Sequence, residues 1–143
     1  MLRASLLTLI WVLIAAILPA RAFEAPLPMD DAFVPSIAKE KDGLLTITWK
    51  IADGYYLYRD YLSAKGGDDQ PLALQTDSGK IKHDPGFGKT EVYYGQASAS
   101  IAKAPWQVRL TYQGCQEGGL CYPPTTRAID VAAMTIETPG GAV

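Results

Sequence analysis

Residues 45–51 read Leu-Thr-Ile-Thr-Trp-Lys-Ile, a segment that alternates apolar and polar side chains. This alternation with period two, together with the β-branched residues, predicts a β-strand with one buried face. An Asp-Gly pair at residues 53–54 marks a turn, and residues 55–59 continue with a run of large side chains. A second strand is therefore predicted directly after the turn.

Working outward, the rest of the chain shows more short strands. An extended, proline-rich lead-in is predicted at residues 23–35, and glycine-rich loops are predicted at 66–70 and 82–89. Trp49 and Trp106 are predicted to lie in the core. The other predicted strands are 72–74, 92–94, 98–101, 108–112 and 127–131. Without a convincing amphipathic helix or an internal repeat, this pattern indicates an all-β antiparallel sandwich.

The N-terminus has the composition of a secretory signal peptide. A basic start is followed by an apolar run of 13 residues at 6–18 and by the small-residue pattern Ala20-x-Ala22. The run is too short to span a bilayer comfortably, which disfavours the alternative of an uncleaved membrane anchor. We therefore expect residues 1–22 to be removed and residues 23–143 to form a single domain exported to a bacterial periplasm.

Composition limits the classes of function. Removal of the predicted signal peptide leaves 121 residues, with 11 basic and 15 acidic side chains. No basic stripe is present, so nucleic acid is not a predicted partner. Two cysteines and one distant histidine fall short of a usual zinc or copper ligand set. Neither a metal nor another cofactor is predicted.

The two cysteines of the chain, Cys115 and Cys121, flank a glycine-rich turn. A hairpin this tight can bring them opposite each other, with Cα atoms roughly 4.5–5.5 Å apart and within disulfide reach. Pro123 and Pro124 limit ladder hydrogen bonding, which predicts an edge position. As a staple, so short a loop would contribute only about 2–2.5 kcal/mol to stability. The residues alone leave a redox-active pair and an inert staple both open.

Three motifs occur in a characteristic order. They are Asp-Gly-Tyr-Tyr-Leu-Tyr-Arg at 53–59, Gly-Lys-Thr-Glu-Val-Tyr at 88–93, and Tyr-Gln-Gly-Cys through Cys-Tyr-Pro-Pro at 112–124. Together they resemble the N-terminal periplasmic domain of the DsbD thiol:disulfide interchange family, over about residues 29–134. The resemblance implies an immunoglobulin-like β-sandwich whose cysteine pair cycles between dithiol and disulfide.

The resemblance also implies a place in an electron-transfer chain. The donor would be a thioredoxin-like domain fed by a membrane electron transporter. The acceptors would be thioredoxin-fold proteins, including the disulfide isomerase DsbC and reductants of cytochrome c maturation. The chain would then be a component of a protein-disulfide reductase. Because the family usually continues into membrane and thioredoxin-like domains, we expect either a free-standing version of the domain or a fragment.

Site residues follow from the resemblance position by position. Cys121 matches the attacking cysteine that forms the mixed disulfide, and Cys115 matches the resolving cysteine. Tyr56 and Tyr58 match aromatic residues around the pair, and Tyr122 completes the predicted shell. Spaced by two, Tyr56 and Tyr58 should project from one face of their strand. No cationic residue lies near the cysteines in sequence, which predicts a sluggish thiol.

The loop at 84–88 matches the family's cap, which shields the cysteines until a partner displaces it. Asp84 keeps its match, whereas Pro85 stands where an acidic residue is expected. Gly86 stands at the position of the capping aromatic, and Phe87 follows one place later. Phe87 is therefore predicted to act as the cap, with a solvated turn and a core Phe87 as the alternative.

A rival function of a different class stays open at this point. An immunoglobulin-like periplasmic binding or adaptor module would carry the same pair as a structural disulfide. The two functions differ in reduction potential, since structural disulfides resist physiological reductants.

Overall fold

The computed structural model describes residues 24–137, so the predicted signal peptide lies outside the described residues. A four-residue helix, α1, and a short 3-10 helix at Arg59–Tyr61 accompany thirteen strands in this part of the chain. None of the helices here is long and apolar enough to cross a membrane. The elements are α1 (Met29–Ala32), β1 (Phe33–Lys39), β2 (Leu45–Ile51), β3 (Tyr55–Tyr58), β4 (Ser63–Gly66), β5 (Pro71–Leu72), β6 (Gln75–Thr76), β7 (Lys80–Asp84), β8 (Gly88–Tyr93), β9 (Gln96–Ile101), β10 (Gln107–Tyr112), β11 (Gly114–Gln116), β12 (Thr125–Asp130) and β13 (Thr135–Glu137).

Strand β2 organises the first sheet. Its alternating sequence buries Leu45, Ile47, Trp49 and Ile51 and leaves Lys50 exposed, which confirms the predicted strand and its buried face. It pairs antiparallel with β1 on one side and with β9 on the other. The resulting sheet has the order β1-β2-β9-β6.

A second sheet packs against the first. Its order is β13-β12-β10-β4-β5, and β10 buries Val108, Leu110 and Tyr112. The rings of Trp49 and Tyr112 meet edge to face across the two sheets, with centroids 5.7 Å apart. Side chains of both sheets form one hydrophobic core. The predicted all-β antiparallel sandwich is therefore confirmed.

A third sheet, of order β11-β3-β8-β7, positions the cysteines. Its strand β3 is buried on both faces, which accounts for the run of large side chains at 55–58. Tyr55 and Leu57 join the main core. Tyr56 and Tyr58 project from the other face into a small separate cluster with Val92 and Cys115.

The lead-in at 23–35 is not simply extended. Pro28 precedes α1, where proline is tolerated because the first helical N–H groups have no intrahelical partner. Strand β1 then begins at Phe33 and includes Pro35, which is compatible with the edge position of β1. Tertiary pairing with β2 thus outweighs the local proline content.

Two other expectations were wrong. Residues 82–89 are not a loop, because β7 and β8 form a hairpin in which Asp84 pairs with Gly88 and only residues 85–87 connect the strands. Gly88 permits this tight connection with a φ of +72°. Trp106 is not in the core but 67% exposed. It lies in the bend just before β10, so the alternation of that strand does not extend to it.

Candidate functional site

Cys115 and Cys121 form a disulfide across a hairpin of residues 114–122, the cysteine hairpin. Their Cα atoms are 4.0 Å apart, slightly closer than expected. The pair lies between two backbone hydrogen bonds, and such a non-hydrogen-bonded position is the closer type in antiparallel strands. The flanking bonds are Gln116 N–H to Leu120 O (2.8 Å) and Tyr122 N–H to Gly114 O (3.0 Å).

The turn of the cysteine hairpin is held in place locally. Gly119 N–H donates to Gln116 O at 3.0 Å, and Gly118 adopts a φ of +66° that favours glycine. Glu117 N–H donates to Gly54 O at 2.7 Å and so joins this turn to the Asp-Gly turn before β3. The turn of the cysteine hairpin and the Asp-Gly turn before β3 therefore both support the disulfide.

The two cysteines differ in solvent access. Cys115 lies in β11, an edge strand of the third sheet, and is 0% exposed. Cys121 forms an isolated bridge outside that strand and is an exposed residue. Cys121 is thus an exposed residue whose sulfur contacts the Tyr58 hydroxyl, whereas Cys115 is fully enclosed.

Two tyrosines and an aspartate enclose the buried sulfur. The Tyr58 hydroxyl lies 3.1 Å from Cys115 Sγ and 3.9 Å from Cys121 Sγ. Tyr58 also donates to Asp84 Oδ2 at 2.8 Å, and Tyr56 donates to the same oxygen at 2.5 Å. The two rings are 5.5 Å apart on one face of β3, as their spacing predicts.

Asp84 is a buried carboxylate with a complete set of donors. Its Oδ1 accepts Gly86 N–H at 2.8 Å and Phe87 N–H at 3.0 Å. Burial opposes the charged form, but these bonds and those from the two tyrosines outweigh it and lower the pKa of Asp84 to about 2. Burial, followed by the bond to Asp84, raises the pKa of both tyrosines. At neutral pH the phenols are protonated and Asp84 is ionised.

The remaining predicted residues occupy different positions. Phe87 packs on Tyr58 and Tyr61, with ring centroids 5.0 and 5.2 Å away, and is 42% exposed. Tyr122 lies beside Cys121 in sequence but faces the main core, where its ring meets Phe33 at 5.7 Å. The structure therefore joins Phe87, but not Tyr122, to the cluster around the sulfurs.

A family comparison accounts for this arrangement. The family described as thiol:disulfide interchange protein DsbD, N-terminal, matches residues 23–133. The chain belongs to this family. Its immunoglobulin-like fold and its cysteine pair are those that the sequence motifs implied.

Curated relatives are longer proteins. DsbD 1 of Pseudomonas aeruginosa is 39% identical over 112 residues, which cover 73% of this chain and 19% of that protein. DsbD of Salmonella typhi is 34% identical over 148 residues, covering 95% of this chain and 26% of that protein. The chain thus spans about a fifth to a quarter of the length of these DsbD proteins.

Two solved structures of the DsbD N-terminal domain from Neisseria meningitidis share the fold. The reduced form has a TM-score of 0.69 and 35% identity, covering 79% of this chain and 94% of that chain. A complex between the DsbD and PilB N-terminal domains has a TM-score of 0.67 and 32% identity, covering 83% of this chain and 96% of that chain.

Sequence reasoning missed a cation at the site. Lys82 Nζ lies 4.8 Å from the centroid of the Tyr56 ring and donates to Glu117 Oε1 at 2.5 Å. Lys82 precedes Asp84 by two residues on β7, so both project from one face of the strand. The spacing of Lys82 and Asp84 carries this signal, but the glycines and proline at 82–89 predict a loop, in which such spacing has no meaning.

Gln113 was also missed, although it belongs to the third DsbD motif. Its side-chain N–H donates to Tyr122 O at 3.0 Å, and its backbone carbonyl accepts Tyr58 N–H at 3.0 Å. Gln113 is 9% exposed. One residue therefore ties the strand of Tyr58 to the second arm of the cysteine hairpin.

Proposed function

We propose that the chain carries out thiol:disulfide interchange through Cys115 and Cys121, with Cys121 as the sulfur that partners attack. The observation that carries this proposal is the difference in access between the exposed Cys121 and the fully buried Cys115. Exchange begins with attack by a thiolate on an accessible disulfide sulfur. A purely structural disulfide does not require one of its two cysteines to be exposed.

Reduction of the pair then proceeds in two balanced steps. A partner thiolate attacks Cys121 Sγ, a mixed disulfide forms, and Cys115 leaves as a thiolate. The partner's second thiolate attacks its own sulfur in the mixed disulfide and releases Cys121. The partner dithiol is oxidised to a disulfide, the Cys115–Cys121 disulfide is reduced, and two protons pass to the new dithiol. In electron delivery to an acceptor, Cys121 attacks and Cys115 resolves.

The cluster around Cys115 supports its role as leaving and resolving group. The Tyr58 hydroxyl lies 3.1 Å from Cys115 Sγ, and its one proton, which Asp84 accepts in the oxidised protein, can turn to the thiolate as it leaves. Hydrogen bonding to a charged form favours that form. Asp84 holds the Tyr58 hydroxyl in place, and Phe87 lies over the Tyr58 ring as the cap.

We also propose partners and a location, which the family membership supports. We propose a thioredoxin-like donor domain that receives electrons from a membrane transporter. The proposed acceptors are DsbC-type isomerases and reductants of cytochrome c maturation, in the periplasm after cleavage of residues 1–22. The Neisseria complex supports a protein partner at this domain. A chain that spans about a fifth of its DsbD relatives would act as one component of the reductase.

Trapping of the mixed disulfide tests the assignment of roles. Cys115→Ala removes the resolving thiol, so it should accumulate a stable mixed disulfide with a thioredoxin-fold partner through Cys121. Cys121→Ala should trap little, because the remaining thiol is buried. The measurement is non-reducing electrophoresis with mass identification of the linked cysteines. Equal trapping by both variants, or trapping through Cys115 alone, would overturn the assignment.

A further inference from the structure

An ion pair joins the cysteine hairpin to the cap hairpin, which is formed by β7 and β8. Lys82 Nζ on β7 donates to Glu117 Oε1 in the turn of the cysteine hairpin at 2.5 Å. Within residues 24–137 it is the one ion pair between these two hairpins. Tyr94 donates to the second oxygen of Glu117 at 3.2 Å. The turn beside the disulfide is thus tied to the strand that ends in Asp84.

The same pair covers one side of the buried cluster. The Lys82 side chain is 16% exposed and lies over the Tyr56 ring. The ring of Tyr94 packs on Tyr56 as well, with centroids 5.8 Å apart. Phe87 and Tyr61 cover the neighbouring Tyr58. These side chains form a cover over the cluster around Cys115. Its aromatic half is Phe87 and Tyr61, and its charged half is the ion pair of Lys82 and Glu117.

The ion pair of the charged half is weak enough to break when a partner docks. Glu117 is 48% exposed, and a partly exposed ion pair is weak and screened by salt. The bond to Glu117 raises the pKa of Lys82 despite some burial, so the lysine is charged at neutral pH. An interaction of this strength can hold a cover closed and still yield to a docking protein.

We propose that Lys82 and Glu117 form a latch, a pair of positioning residues that holds the cover over Cys115 closed until exchange begins. The inference rests on the proposed function. When a thiolate attacks Cys121, Cys115 leaves as an anion in a site that excludes water. Separation of the latch loosens the turn and the cap strand together, which lets water reach the leaving sulfur. Neither latch residue needs to contact a sulfur.

The direction in which each substitution changes the rate of disulfide reduction distinguishes a latch from a direct effect of the two charges. Dithiothreitol reduces the disulfide by thiolate attack on Cys121, expulsion of Cys115 as a thiolate, and ring closure of the reagent to its cyclic disulfide. If Lys82 and Glu117 acted only through their charges, Lys82→Gln would slow this anionic reaction and Glu117→Gln would speed it. If they act as a latch, both substitutions speed it, because either one opens the cover.

The experiment measures the rate of reduction of the oxidised protein by dithiothreitol at neutral pH. We expect Lys82→Gln and Glu117→Gln each to react roughly two-fold to five-fold faster than wild type, the range set by a partly exposed ion pair. The double variant should be no faster than the single variants, since the latch is already open. Lys82→Arg keeps the charge and can still pair with Glu117, so it should retain the wild-type rate.

Matched controls come from a surface ion pair between β4 and the turn that follows it. Lys65 and Asp69 lie 3.3 Å apart, and both are exposed. Lys65→Gln and Asp69→Asn should leave the reduction rate unchanged. Thermal unfolding of each oxidised variant establishes that it is folded, and Glu117→Ala serves as a second probe of the same position.

Opposite changes in the two single variants would overturn the latch in favour of field effects, and unchanged rates would overturn it outright. This measurement needs no protein partner. Failure of the latch therefore shows in the dithiothreitol rates, whereas failure of the proposed function shows in the trapping with a thioredoxin-fold partner.

Discussion

Asp84 concentrates the polar chemistry of the site in one side chain. It is 5% exposed and accepts four hydrogen bonds, two from phenols and two from the backbone of its own loop. A buried carboxylate with this many donors is stabilised as the anion even though burial opposes its charge. Asp84 therefore couples the cap loop to the tyrosines that surround the sulfurs.

Replacement of Asp84 should reveal this stabilisation through pH. The folded-state pKa of about 2 lies below the ordinary value of 3.8, so the stabilisation is complete above pH 4 and is lost as the pH falls through 2. We expect Asp84→Asn to cost about 2 kcal/mol of unfolding free energy at pH 7, and less as acid is added. Urea unfolding of the oxidised proteins at several pH values measures the difference.

Asp53→Asn provides the control, since Asp53 is an exposed carboxylate in the turn before β3. It should leave the unfolding free energy almost unchanged. A penalty for Asp84→Asn that grows as the pH falls would contradict the described hydrogen-bond set.

Two hairpins, rather than single strands, are the working elements of the site. The cysteine hairpin presents Cys121, and the cap hairpin supplies Lys82, Asp84 and Phe87. The Phe87 ring packs on the Tyr58 ring and is not part of the main core. The Phe87 side chain can therefore move without disturbing that core.

Removal of the capping ring should therefore increase access to the reduced site. We expect Phe87→Ala to speed alkylation of Cys121 by iodoacetamide, because it uncovers Tyr58 next to the sulfur. Ile81→Ala is the matched control, since Ile81 lies on the same hairpin and is 60% exposed. An unchanged rate in Phe87→Ala, with the fold intact by circular dichroism, would contradict the cap assignment.

At the scale of the whole molecule, local patterns predicted the sandwich but not the third sheet. The alternation at 45–51 gave the bounds of β2 correctly, because burial on one face imposes period two. The glycines and proline at 82–89 favour a loop, whereas pairing between β7 and β8 places most of the segment in strands. Short strands such as β6 form only because they pair with a neighbouring strand.

Some residues of the site are predicted from sequence motifs, and others are recognised only from the structure. The cysteines, Tyr56, Tyr58 and Asp84 were found from motifs, since each lies within a segment that resembles the family. Lys82, Glu117 and Gln113 were not, because their roles depend on contacts between hairpins distant in sequence. Tyr122 shows the converse, because a neighbour of Cys121 in sequence faces the opposite side of the strand.

The central claim is that the Cys115–Cys121 disulfide is a working redox couple, and an equilibrium redox titration tests it most directly. The oxidised protein is equilibrated with a reduced thioredoxin-type protein over a range of donor ratios, free thiols are quantified by alkylation, and circular dichroism follows the fold. We expect measurable exchange, a reduction potential above about −300 mV and an intact sandwich in the reduced form. A disulfide that resists this donor, with a potential below about −300 mV, would contradict the account and identify a structural staple.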